Sequence, residues 1–234
     1  MDEHKIMLIT GTRKGIGRHL AEYYVKKGYI VYGCSRSPID YELENYHHFC
    51  LDVSDESEVT HLFSQIRTTH QRLDVLINNA AVNITRSPLL LVPYQAALKT
   101  VEINLLGTFL MVREAAKVMM KHSSGRIINF SSMAVKHEVE GEALYTASKS
   151  AVVSLTRVTA KELYPRGITC NVVAPSVLNT DLMNGVEKET LQRLLQRNAI
   201  HEMGKLEDIT NAIDWLLSKE SSAITGQVIY LGGT

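Results

Sequence analysis

Three side chains in one stretch of the chain have the types and spacing for acid–base chemistry. NFSSMAVKHEVEGEALYTASK, from Asn129 to Lys149, ends an apolar run in two serines, then places a tyrosine and a lysine four residues apart. On a helix, Tyr145 and Lys149 face the same side. A free phenol has a pKa of about 10, so about one in a thousand is ionised at neutral pH. An ammonium about 4 Å away, at an effective dielectric of about 20, is worth about 4 kcal/mol, or about three pKa units. Such a phenol would give a proton to a carbonyl oxygen, or take one from an alcohol, near neutral pH. A serine hydroxyl beside the same oxygen would steady the charge that develops there. Taken singly, each feature has a plainer reading. Tyrosine–lysine pairs decorate helix surfaces, and serines at strand ends form turns.

A second group points to a bound phosphate. The apolar run KIMLIT leads straight into TGTRKGIG, Thr10 to Gly17. Gly11 permits a tight turn, Gly15 lets the backbone approach a pyrophosphate, and Gly17 lets a helix pack closely on the strand. The helix that follows offers unpaired N–H groups and a positive dipole end. The strand-to-helix context is what a dinucleotide fingerprint requires. At the end of the next strand stands GCSRS. A carboxylate there would hold the ribose hydroxyls and repel a 2′-phosphate, but this chain has Ser35, followed by Arg36. Lys14 adds a second cation, so the pair predicts NADP(H) over NAD.

These groups need a scaffold, and the chain alternates apolar β-branched runs with helix-period segments. Strands are predicted at Lys5 to Thr10, Tyr29 to Ser35, His48 to Val53, Leu73 to Ala80, Gly125 to Ser131, Ile168 to Ala174 and Val228 to Leu231. Helices are predicted at Ile16 to Lys27, closed by Gly28, and at Glu56 to His70, capped by Ser54 or Asp55. A long one is predicted from about Tyr94 to Lys121, and another from Tyr145 to Leu163, closed by Pro165 and Gly167. Near-continuous apolar strands separated by helices imply an α/β fold: a doubly wound, Rossmann-type parallel sheet of seven strands with helices on both faces. With no repeat or linker, residues 1–234 read as a single domain. The segment from Ser176 to Lys205, with its amphipathic EKETLQRLLQRN, falls at the carboxyl end of a strand, where it would lie over the ligand crevice as a substrate lid.

Bulk properties exclude several classes. The 234 residues are 45% apolar and 21% charged, an ordinary globular balance. Twenty-five Lys and Arg match 25 Asp and Glu, so no net field draws the chain to nucleic acid or a membrane surface. Cys34, Cys50 and Cys170 show neither a disulfide framework nor a zinc pattern, and MDEHKIMLIT leaves no room for a signal peptide. The expectation is a cytoplasmic protein without a metal site. Lys136, Glu138 and Glu140 read as solvated loop charges, and His137 and His201 as surface residues.

Further motifs carry a family likeness. Three residues separate the first two glycines. DV stands at Asp52-Val53, NNAA at Asn78 to Ala81, EINLLGTF supplies Asn104, and INFSS ends in Ser132. YTASK and NVVAPSVLNT follow. Over nearly the whole chain this resembles the short-chain dehydrogenase/reductase family, and most of all its compact branch that includes 3-oxoacyl-[acyl-carrier-protein] reductase. The resemblance implies Tyr145 as acid/base, and Lys149 as the cation that tunes it and binds the nicotinamide ribose. It selects Ser132 over Ser131 to orient the carbonyl, and gives Asn104 a relay water. It implies cofactor contacts from Gly11, Arg13, Lys14, Gly15, Ile16 and Gly17 in the loop, and from Ser35, Arg36, Asp52 and Val53. Asn79, Ala80, Pro175, Val177 and Thr180 would complete them. Ala81 and Ser176 stand where the family has glycine. The expected substrate is a carbonyl or secondary alcohol, carrier-linked and 3-oxoacyl-like. Sugar, steroid or other alcohols, or a non-catalytic scaffold, are the alternatives. A homodimer or homotetramer is implied through the helix from about Tyr94 and the Tyr145 helix, whose apolar face of Val152, Val153 and Leu155 suits that contact or the core equally. The chain stops at YLGGT, short of the usual tail, which weighs against the tetramer.

Overall fold

A strand covered on both sides must be apolar on both, and the middle strands of this chain are. The computed structural model describes residues 4–178 and 188–233. Among them, β1 (Ile6–Thr10), β2 (Ile30–Ser35), β3 (Tyr46–Cys50), β4 (Val75–Asn78), β5 (Gly125–Phe130), β6 (Ile168–Ala174) and β7 (Val228–Tyr230) form one parallel sheet. The order is β3-β2-β1-β4-β5-β6-β7. Every residue of β1, β4 and β6 is buried, while the edge strand β3 is half exposed.

Side chains alternate between two cores. Leu8, Leu76, Ile127 and Cys170 pack towards α2 (Glu56–His70), α4 (Thr108–Met119) and α6 (Ala143–Leu163). Ile9, Val31, Ile77, Ile128 and Val173 pack against α1 (Gly15–Lys26) and α8 (Leu206–Leu217). Shorter helices complete the set: α3 (Tyr94–Val101), α5 (Ala134–His137) and α7 (Lys188–Gln196). Asp55, one of the two expected caps, accepts from the amides of Ser57 and Glu58 at 2.9 and 3.0 Å.

The doubly wound parallel sheet is as expected, and the local detail departs from it in places; the fourth strand is Val75–Asn78, two residues shorter at each end. The third strand starts two residues early, at Tyr46, because an edge strand needs only alternate apolar residues; Leu51 to Val53 lie beyond it. The long helix from Tyr94 is broken by a π-helical turn over Glu102–Gly107, with Asn104 inside it. The helices α5 and α8 are additional. Val152 and Val153, considered for a subunit interface, are core residues at 0% and 7% exposure, and Leu155 is half-buried.

The strand order reverses between β1 and β4, so the loops leaving these two strands diverge and open a crevice at their carboxyl ends. Apart from Gly17, the expected cofactor residues that the structure describes in the β1–α1 loop and after β2, β3 and β4 line this crevice.

Candidate active site

The crevice holds a cavity of about 380 Å³. The β1–α1 loop gives it Gly11, Arg13, Lys14, Gly15 and Ile16. The end of β2 gives Ser35 and Arg36, the chain after β3 gives Asp52 and Val53, and the chain after β4 gives Asn79 and Ala80. Gly17 lies behind the wall. A Cβ there would sit 2.1 Å from the Gly11 carbonyl oxygen, so α1 closes on the turn only because residue 17 has no side chain. Gly11 itself has φ +75°, in the left-handed region.

Hydrogen bonds fix this loop to its neighbours. The Gly11 amide donates to the Cys34 carbonyl at 2.8 Å. Asn79 Nδ2 donates to the Thr10 carbonyl at 2.9 Å, and the Asn79 and Ala80 amides donate to Thr10 Oγ1 at 3.0 and 2.9 Å. Asn79 is thus the clamp between the ends of β1 and β4. Burial alone would raise the Asp52 carboxyl, but the Ser54 hydroxyl and amide, with Arg36 and Lys99, hold it below its ordinary value. It is a carboxylate at neutral pH.

A second cavity, of about 150 Å³, shares Ile16, Asn79 and Ala81 with the first, so the two form one cleft. Ser132, Tyr145, Lys149, Pro175 and Val177 line it. Thr180 lies outside the described residues. The two serines are separated here by their contacts. Ser131 is buried and donates to the Lys149 carbonyl at 3.2 Å, whereas Ser132 is half-buried and hydrogen-bonded to Tyr145.

The electrostatics of the pair differ from the sequence expectation. Lys149 Nζ, 3% exposed, donates to the Phe130 carbonyl at 2.8 Å, and burial pushes its amine down to about 8. Burial pushes the Tyr145 phenol up to about 12, with Ser132 pulling the other way and Glu142 adding to the rise. The lysine is directed at a β5 carbonyl, and desolvation outweighs any pull it exerts on the phenol. Tyr145 is therefore protonated at neutral pH.

Asn104 lies behind the cleft wall, fully buried. Its carboxamide treats the Val82 peptide as a strand would: Oδ1 accepts from the Val82 amide at 2.8 Å, and Nδ2 donates to the Val82 carbonyl at 2.9 Å. Nδ2 also lies 3.0 Å from Ser148 Oγ, which donates to the Tyr145 carbonyl at 2.7 Å. Asn104 therefore reaches Tyr145 through the backbone of α6.

Sequence reasoning missed two side-chain groups of the second cavity. Glu142 Oε1 accepts from Asn83 Nδ2 at 3.0 Å and from Arg86 Nε at 3.2 Å. Opposite, His137 Nε2 is 2.7 Å from Asn198 Oδ1, and Asn198 Nδ2 donates to Ser176 Oγ at 2.9 Å. His137 is thus a half-buried wall residue and not the surface residue expected. The available signal for Glu142 was its place one helical turn before Tyr145; for Asn198, nothing local marked it. Among the described residues no cluster of His, Cys, Asp and Glu is arranged to hold a metal, and no helix is long and apolar enough to cross a membrane.

Residues 11–233 match a family model described as enoyl-(acyl carrier protein) reductase. The chain is 33% identical over 240 residues to the 3-oxoacyl-[acyl-carrier-protein] reductase FabG of Staphylococcus aureus, covering 98% of this chain and 97% of that protein. A solved structure of ElxO with NADP bound is similar at TM-score 0.90 and 30% identity, covering 98% of this chain and 97% of its own. A 4-hydroxyisoleucine dehydrogenase complexed with NADH is similar at TM-score 0.87 and 27% identity, covering 98% of both chains. With the family model matched over residues 11–233 and a relative of this identity matched along nearly its whole length, the chain belongs to the short-chain dehydrogenase/reductase family and is an oxidoreductase.

Proposed function

We propose that the chain is an NADP(H)-dependent carbonyl reductase for a 3-oxoacyl thioester or a similar carbonyl. The observation that carries this reading is the single cleft: a basic, glycine-floored end runs through Ile16, Asn79 and Ala81 into an end lined by Ser132, Tyr145 and Lys149. The residues fit a phosphorylated dinucleotide. A side chain at residue 11 or 17 would collide with the loop and Asn79 that shape the cradle, three cations (Arg13, Lys14 and Arg36) line it, and Ser35 presents no carboxylate to a 2′-phosphate. Such a cofactor, when bound, supplies the hydride. Asp52 and Val53 would flank its adenine, and Pro175, Val177 and Thr180 would border its nicotinamide end.

The chain's own residues supply the proton. Ser132 Oγ holds the substrate oxygen beside Tyr145 Oη, and the protonated phenol donates as negative charge gathers on that oxygen. A phenol raised to about 12 is the donating form throughout the neutral range, which favours the reductive direction. Lys149 orders the end of β5 through Phe130 and presents its amine to the cofactor ribose. Asn104 holds the α6 backbone, with a relay water as its further role. Arg86, Asn83 and Glu142 on one wall, and His137 and Asn198 on the other, meet the polar part of the substrate. FabG, by its name, reduces 3-oxoacyl groups on a carrier protein, which supports the same substrate class here.

Two further readings belong to the same proposal. Residues 1–234 act as one domain, because both cores share one sheet. The segment 176–205 acts as a lid, because its Leu194 and Asn198 reach the second cavity. The polar walls also suit a sugar or another secondary alcohol, which is the second reading.

The test is NADPH oxidation at 340 nm with an acetoacetyl thioester, with NADH, a crotonyl thioester and a polyol in parallel. Turnover that prefers NADPH and the 3-oxo group is expected. Tyr145→Phe should keep cofactor binding and lose at least about a hundredfold in kcat, the usual share of a general acid. Arg36→Asp should move the preference towards NADH. Retained turnover in Tyr145→Phe would sink the assignment of the acid, and reduction of only the crotonyl thioester would sink that of the substrate.

A further inference from the structure

Beneath the phosphate loop a chain of hydrogen bonds joins Thr12 to Ser35 at the end of β2, and its members Tyr41, Tyr46 and His48 have no part in the chemistry above. Tyr41 Oη donates to the Thr12 carbonyl at 2.6 Å, and Tyr46 Oη to Thr12 Oγ1 at 2.7 Å. His48 stands next in the chain. Its Nδ1 is 2.9 Å from Tyr46 Oη, and its Nε2 is 3.1 Å from Ser35 Oγ. Ser35 Oγ donates onward to the Ser37 carbonyl at 2.8 Å. Tyr46 occupies the space a side chain at residue 33 would need, since a Cβ on Gly33 would lie 2.0 Å from the Tyr46 oxygen.

The tautomer with its hydrogen on Nε2 suits these partners. The Ser35 hydroxyl proton goes to the Ser37 carbonyl, and His48 Nε2–H donates to Ser35 Oγ, with the Ser37 carbonyl a second acceptor 3.4 Å away. In the neutral ring Nδ1 is then an acceptor, and it shares the Tyr46 proton with Thr12 Oγ1. Burial lowers the His48 imidazole and raises the Tyr46 phenol, so the neutral forms hold at pH 7. One imidazole thus grips two structures at once: the Ser35–Ser37 turn that carries Arg36, and the loop that begins at Thr12. Ser35, Arg36 and Ser37 all line the first cavity.

We propose that His48 is a positioning residue for cofactor choice: its Nε2 arm sets the Ser35 hydroxyl and the Arg36 turn that meet a 2′-phosphate, and its Nδ1 arm, through Tyr46, sets the loop that meets the pyrophosphate. This rests on the NADP(H) reading above. The two arms are separable. An asparagine amide reaches the place of Nδ1 and stops short of Nε2, whereas a glutamine amide reaches the place of Nε2. The Nε2 arm serves only NADP(H); the Tyr46 arm serves both cofactors, because both carry a pyrophosphate.

The test is calorimetric titration of NADP⁺ and NAD⁺ into the full chain, with folding checked by thermal melting. The wild type should bind NADP⁺ more tightly. His48→Asn should weaken NADP⁺ by about tenfold, the worth of one hydrogen bond to a charged site, and leave NAD⁺ within about twofold. His48→Gln should restore the ratio, and Tyr46→Phe should weaken both cofactors alike. Ser35→Ala should reproduce the loss of ratio if His48→Asn folds poorly, and the double variant should lose no more than either single one. A ratio unchanged in both His48→Asn and Ser35→Ala, or a loss in His48→Asn shared equally by the two cofactors, overturns the inference alone. A wild type that binds NAD⁺ as tightly as NADP⁺ overturns the cofactor reading and the inference together.

Discussion

At the scale of single residues, burial governs the reactive pair more than proximity does. The Lys149 amine falls from an ordinary value of 10.5 to about 8 because its ammonium is out of water with one carbonyl for company. In the unfolded chain it keeps its proton to about pH 10.5; in the folded chain it gives it up near 8. Between those values the unfolded chain binds more protons at this site, so Lys149 contributes a rise in stability as pH climbs from about 8, opposed from about pH 9 by the Cys34 and Cys170 thiols, which burial pushes up from 9.0 to about 12. Above about pH 10 the raised Tyr145 phenol adds to that opposition, because the folded form then holds its proton longer. Urea unfolding should show a rise between about pH 8 and 9 in the wild type that is missing in Lys149→Met, with both falling at higher pH as the buried thiols titrate. A rise that persists in the variant would mean that another group carries it. The residue types and spacing at 132, 145 and 149 were legible in the sequence because they repeat a motif. Their protonation was not, since it depends on how deeply the β5–α6 packing encloses them, and spacing says nothing about depth.

At the scale of elements, the π-helical turn decides how α6 is held. An added residue in a helix redirects the side chains around it, and here it points the Asn104 carboxamide across to the Val82 peptide. Asn104→Ala would leave the Val82 amide and carbonyl without their partner. We expect a loss of about 2 kcal/mol or more in urea unfolding, together with a fall in kcat from a looser α6. A loss under about 0.5 kcal/mol would show that the turn is held by other contacts. The central strands were readable to within two residues, because a strand buried on both faces is apolar throughout. The π-helical turn was not, since YQAALKTVEINLLGTFLMVREAAKVM keeps an apolar rhythm that one inserted residue barely disturbs. Nor was α8, whose Asp214 accepts hydrogen bonds from Tyr23, Tyr24 and Lys27 of α1, contacts that exist only once the two helices are side by side.

At the scale of the whole molecule, large apolar side chains are exposed on three neighbouring helices. Tyr94, Leu98, Leu106 and Phe109 are exposed along α3, the π-helical turn and α4, and Val158 and Tyr164 are exposed on or beside α6. We propose that this surface joins copies of the chain, which keeps the subunit pairing implied by the resemblance but moves it off Val152 and Val153. Sedimentation velocity should show a dimer or larger species in the wild type and a shift towards monomer in Leu106→Glu/Phe109→Glu. A wild type that sediments as a monomer at every concentration would end the proposal. The cleft residues missed from the sequence, Asn83, Arg86, His137 and Asn198, meet across distances that only the finished fold sets.

The anchors of the segment over the cleft have a consequence for how such a chain can vary. The Gly204 amide donates to the Val177 carbonyl at 2.9 Å, and Leu178 and Gly204 pair as a short parallel bridge. The Ile200 amide donates to the Gly232 carbonyl at 2.9 Å, tying the same segment to the chain beyond β7. Both ends of the intervening stretch are therefore pinned to the sheet's rim independently of what lies between them. Closing a loop whose ends are already fixed grows harder only logarithmically with its length, by about 0.6 kcal/mol per doubling. Changes of length between these anchors thus cost little in chain closure, so descendants of this sequence can acquire new substrate tastes there while inheriting the same sheet and the same hydride site.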